Sequence, residues 1–128
     1  MLNDLIGLKY KWGCHPKDGT GFTDCFALSM EVRRILGFHD FYPEFKWVYD
    51  QYEEEGVSAV QILKWLWARG ERIKQPRPGA LFRAPSMNGA IALATVVNDD
   101  RAIMIGPGKT VIAMPFASVV KGKFHWAE

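Results

Sequence analysis

The stretch Gly21-Phe22-Thr23-Asp24-Cys25-Phe26-Ala27-Leu28 decides how this chain is read, because it sets a cysteine at the start of a helix. Thr23 or Asp24 can cap that helix, since each offers a short side-chain oxygen to a free backbone N–H of the first turn. Apolar residues then recur at Phe26, Met30, Ile35 and Leu36, with Val32 between them, and Glu31, Arg33 and Arg34 are left mainly for the outer side. This spacing predicts an amphipathic helix over about 24–36, with Gly37 as its stop. A thiol in the first helical turn lies in the positive end of the helix dipole, which favours thiolate over thiol. Cys25 is therefore a candidate nucleophile. The plainer alternative is a small buried apolar residue, the commoner fate of a lone cysteine.

The 128 residues suit one compact domain spanning 1–128. Hydrophobic residues make up 48% and charged residues 23%, enough for a core and too apolar for a disordered chain. A net charge of +2, with basic residues scattered, argues against nucleic acid or a membrane surface as partner. No apolar run approaches the ~20 residues of a membrane span. Met1-Leu2-Asn3-Asp4 lacks the basic region of a signal peptide, so synthesis and folding in the cytoplasm are expected. Two cysteines are too few for a disulfide framework, and whether Cys14 and Cys25 pair is left open. Two cysteines and three histidines without ligand spacing predict no metal, and no cofactor is expected.

Upstream of the opening stretch, residues 2–8 read as a short helix and 9–13 as extended chain. The glycine-rich 13–23 reads as a loop. Downstream, Phe38, Phe41, Tyr42, Phe45, Trp47, Tyr49 and Tyr52 crowd one segment, where Pro43 opens a helix running to about Tyr52. A third helix is expected over 59–69. After Pro76 and Pro78 the pattern turns to strands. These are Ala80–Phe82, a central strand Ile91–Val97 apolar on both faces, a turn at 98–101, then Ala102–Ile105, Thr110–Met114 and Lys123–Trp126. Helices followed by an antiparallel meander define an α+β fold.

Gly7-Leu8-Lys9-Tyr10-Lys11-Trp12-Gly13, the gap, and then Gly21 to Leu28 together resemble the NlpC/P60 family of papain-like cell-wall cysteine peptidases. That family carries Gly-x-x-Tyr-x-Trp-Gly, then Asp-Cys-Ser-Gly-Leu at its nucleophile. Pro78-Gly79-Ala80-Leu81-Phe82 is similar to its Pro-Gly-Asp-Leu strand entry. The resemblance implies a helical N-terminal part packed on the meander, Cys25 as the nucleophile position and Tyr10 as a residue that orients the site. It also implies a histidine on the central strand and a third polar residue on the partner strand. Aligning the hairpin turn on Asn98-Asp99 puts Ala92 at the histidine position and Met104 near the third, and Ile91 or Leu93 serve no better. A thiol needs an imidazole within hydrogen-bond reach to take its proton. His15, ten residues before Cys25, is the candidate substitute; His39 and His125 lie further from the expected place. Phe26-Ala27 replaces the family's Ser-Gly, Ala80 its Asp, and Cys14 a glycine. Ala90, Ala92 and Ala94 share a strand face, and the Cys25 helix is expected to lie on that face and fill the former catalytic gap.

These residues point to a catalytically degenerate domain with a structural or assembly role. Small stand-alone members of the family occur as phage tail assembly proteins, which implies a virion tail tip or baseplate, other tail proteins as partners, and aromatic residues 38–52 as the first candidate contact surface. The alternative is an active peptidoglycan endopeptidase or amidase with Cys25 as nucleophile and His15 as base. A redox role for Cys14 and Cys25 ranks last, because their spacing is unlike Cys-x-x-Cys.

Overall fold

The computed structural model describes residues 1–52, 61, 64–66, 68–85, 91–116 and 124–126, with the backbone alone at 84, 85, 91 and 92. The expected helix over 59–69 therefore lies largely outside the described residues, although 61 and 64–66 are helical.

The fold is α+β. Leu2–Leu5 forms a 3-10 helix, shorter than the helix expected over 2–8, and the chain then extends into β1 (Lys9–Tyr10). Pro16–Asp18 adds a second 3-10 turn, and β2 (Phe22–Thr23) pairs in parallel with β1, matching Tyr10 to Thr23. Helix α1 (Cys25–Leu36) runs as the spacing predicts. Asp24 caps it, and Gly37 closes it in the left-handed region at φ 94°, where a side chain would be strained. The helix expected from Pro43 to Tyr52 is instead a 3-10 turn, Tyr42–Phe45, followed by a short α2 (Trp47–Gln51).

Six further strands make one sheet: β3 (Glu71–Ile73), β4 (Leu81–Pro85), β5 (Ile91–Val96), β6 (Arg101–Ile105), β7 (Val111–Pro115) and β8 (Phe124–Trp126). Their order is β3-β8-β4-β5-β6-β7. Strands β4 to β7 are the expected antiparallel meander, but β8 returns to lie between β3 and β4, with His125 opposite both Arg72 and Leu81. Among the described residues no helix is long and apolar enough to cross a membrane.

Alternation along β5 divides its side chains between two layers. Leu93 packs with Phe26, Met30, Phe41, Leu66 and Leu81. Ile103 and Ile105 of β6 pack with Leu28 and Val32. Helix α1 therefore covers the Leu93–Ile103 face. Ala94 and Val96 face the other way, into a layer with Phe82, Ala102, Met104, Phe116, Phe124 and Trp126. This corrects the expectation that α1 lies on the alanine face: Ala94 packs in the layer away from α1, and Leu93 is what α1 covers. Met104 is likewise in the layer away from α1. The alanines instead leave room for the large rings of Phe82, Phe116 and Phe124, whose centroids lie 5.5–6.1 Å apart.

Charge on α1 is also placed differently from the expectation. Glu31 and Arg33 are buried, and only Arg34 of the three is exposed. The Arg33 guanidinium donates to the carbonyls of His39 at 3.1 Å and Gly79 at 2.7 Å, between the rings of Phe38 and Phe41. Burial pulls its pKa down to about 10, so it stays charged at neutral pH. Gly79 must be glycine: its φ is 86°, and a Cβ there would meet the Phe38 ring at 2.6 Å. Pro78-Gly79 thus sets the β4 entry against the end of α1.

Candidate functional site

The site grows from the cap of α1. One carboxylate oxygen of Asp24 accepts the Ala27 N–H at 2.8 Å and the other accepts the Gly13 N–H at 3.0 Å. The Asp24 N–H donates to the Cys14 carbonyl at 3.0 Å. These bonds explain why Trp12-Gly13-Cys14 sits against the helix start. They also satisfy amides that would otherwise be orphaned there. Asp24 is fully buried, and that burial pushes its carboxyl up from the ordinary range, against the pull of these hydrogen bonds.

Cys25 is half-buried and free, as is Cys14. It packs where two parts of the core meet, touching the layers of Phe26–Leu93 and of Leu28–Ile103. Burial pushes its thiol up to about 12, and the neighbouring Asp24 charge adds to the rise. The amides of Leu93, Cys25 and Phe26 pull the other way. The helix dipole argued for a thiolate; desolvation and a carboxylate next door win instead. At neutral pH the group is a thiol.

Leu93 is the β5 residue whose amide reaches the sulfur, so 93 rather than 92 is the position that faces the nucleophile place. Ladder pairing with β6 is confined to Thr95 and Val96, which leaves β5 unladdered on that side at Leu93. Tyr10 brings its ring to the same cluster as Cys25, while its N–H donates to the Lys109 carbonyl at 2.8 Å. His15 caps the Pro16–Asp18 turn: its Nδ1 accepts the Lys17 N–H at 3.1 Å, and its ring stands edge-on to Tyr42 at 4.7 Å. Burial lowers the His15 pKa, and the charges acting on it are Glu31, Asp40, Asp18 and Lys17. The largest influences on the Cys25 thiol are burial and the Asp24 charge. His39 pairs with Glu44 at the surface, and His125 is buried on β8 among Leu66, Arg33 and Arg72, with no hydrogen bond of normal geometry at either ring nitrogen.

Phe26 was marked in the sequence beside Cys25, but the rings that gather round it were not placed there. Phe26 stacks on Tyr42 with centroids 6.0 Å apart and meets Phe45 edge-on at 6.0 Å. Tyr49 lies 5.8 Å from Tyr42 and 4.8 Å from Trp12, and its hydroxyl is buried beside the Asp24 carboxylate without completing a hydrogen bond of normal geometry. Burial and that carboxylate push the Tyr49 hydroxyl up. The signal available was the aromatic density of 38–52; nothing local told which rings turn inward. Among the described residues no three His, Cys, Asp or Glu side chains converge to hold a metal ion. Compared with models of known families, with curated proteins and with solved structures, the chain matches none.

Proposed function

We propose that this chain is an NlpC/P60-like scaffold whose cysteine site does no chemistry, and that it serves as a structural or assembly component of a bacteriophage tail tip or baseplate. The observation that carries the loss of catalysis is the setting of Cys25. Burial and the Asp24 carboxylate raise its thiol to about 12, and it packs against the core cluster that contains Leu93. A cysteine nucleophile needs the opposite arrangement, a lowered pKa beside a base. The NlpC/P60 assignment is supported by the motif at 7–13 and 21–28 together with a helix that begins at Cys25 and is laid on an antiparallel meander. The tail setting rests on the resemblance to small phage assembly members of that family.

Purified peptidoglycan incubated with the protein tests this directly. The expected result is no stem-peptide fragment above the level given by Cys25→Ala. Fragments released by the wild type and lost in Cys25→Ala would restore the peptidase alternative, with His15 the first base to examine.

A further inference from the structure

Residues 41–52 relate to the rest of the molecule in an unusual way. Among the described residues, every backbone–backbone hydrogen bond of this segment closes within it: Glu44 to Phe41, Tyr49 to Lys46, Tyr52 to Val48. No ladder or cap ties its main chain to α1 or the sheet. What holds it is side chains. Tyr42 and Phe45 lie against Phe26 and Tyr49 against Trp12, while Phe41 is anchored in the core with Met30, Leu66, Leu81 and Leu93, under the guanidiniums of Arg33 and Arg69. Glu44 adds ion pairs to His39 and Arg69 at the surface. Beneath the rings lie Asp24 and Cys25.

We propose that residues 42–52, hinged at the buried Phe41, form a cover over the start of α1, seated on Phe26, that opens as a unit and uncovers Asp24 and Cys25. Its attachment favours this. Beyond Phe41 and the Tyr42 N–H that donates to Asp40 at 2.8 Å, the segment is held by side chains, and among the described residues it has no backbone–backbone bond to α1 or the sheet, so it opens at lower cost than one built into a ladder. The seat is the residue that departs from the family pattern. A serine at position 26 would offer Tyr42 and Phe45 no ring to pack on, so the bulky Phe26 that crowds a substrate cleft is also what binds the cover. The rings then account for the exclusion of water from Asp24 and for the partial burial of Cys25. This inference stands on the packing alone and holds whether or not the chain is NlpC/P60-like.

The test uses the Cys14→Ser protein, so that Cys25 is the thiol followed, and measures alkylation of Cys25 at one alkaline pH by mass spectrometry. Replacing Tyr42 and Tyr49 together by Ala loosens the cover from its outer side and spares the core seat. The modification rate is expected to rise about tenfold or more, with the sheet spectrum unchanged. Phe26→Ser is expected to raise it further. A folded Tyr42→Ala/Tyr49→Ala protein modified at the parent rate overturns the cover. Amide exchange of the unmutated protein supplies the second arm, which no failure to fold can spoil. Glu44, Tyr49 and Tyr52 should exchange together, about tenfold or more faster than amides of α1 and β5. Equal protection of the two sets overturns the proposal. Neither arm depends on whether peptidoglycan is cut, so failure of the cover and failure of the scaffold assignment are read separately.

Discussion

The two ends of α1 hold buried charge in different ways. At the C-terminal end, Arg33 spends its donors on fixed carbonyls of His39 and Gly79, and two rings sandwich it. At the N-terminal end, Asp24 is as deeply buried and its oxygens are taken by amides of its own cap and of Gly13, but the Tyr42 and Tyr49 rings beside it are held by packing. A bolted end fixes how the helix meets the β4 entry. A roofed end leaves a thiol and a carboxylate that are covered but not locked. The difference teaches that burial by itself does not say whether a site is closed for good; the bonding of what buries it does.

The largest effect is expected at the bolted end. Arg33→Ala leaves the Gly79 and His39 carbonyls unpaired in the interior and empties the space between Phe38 and Phe41. The loss should be about 3 kcal/mol or more in denaturant unfolding, because unpaired buried carbonyls and lost packing act together. A loss below about 1 kcal/mol, the scale of an exposed charge, would mean that this end is not bolted.

A smaller effect sharpens the same contrast. His125 sits among Arg33, Arg72 and the Leu66 backbone on the β3–β8–β4 side of the sheet, and burial lowers its pKa below the ordinary 6.5. The unfolded chain therefore takes up this proton first as pH falls. The stability that His125 contributes is complete above about pH 6.5 and is lost as pH falls from there towards the lowered folded value, by up to about 1.4 kcal/mol per pH unit. Subtracting the acid limb of His125→Phe from that of the wild type should isolate this slope. Parallel limbs would show that the ring is free to charge in the folded state.

Local signals carried much of the fold. Asp24 before an apolar stripe, Gly37 behind it, and the Asn98–Arg101 turn between two apolar runs each act within a few residues, and each is found where the sequence puts it. The insertion of β8 beside β4 depends on partners more than forty residues apart, and Glu71-Arg72-Ile73 has no alternating pattern to mark it as a strand. Arg33 reads as a surface residue because its carbonyl partners come from a turn on another element. At the site, Asp24-Cys25 at a helix start was legible. Alternation on β5 gave two faces, but nothing in it said that the Leu93 face, and not the alanine face, would meet α1. The roof was illegible for a related reason: aromatic density marks a packed segment without saying what it packs on.

The most direct measurement is the pH dependence of Cys25 alkylation in the Cys14→Ser protein, run beside His15→Ala, Ala92→His and Leu93→His. The expected apparent pKa lies well above the unperturbed ~8.5 of a cysteine, unchanged by His15→Ala or Ala92→His. It should fall by about two pH units or more in Leu93→His, where an imidazole would face the sulfur. A wild-type value below ~7 that rises in His15→Ala would contradict the scaffold proposal and put a working Cys–His pair in its place.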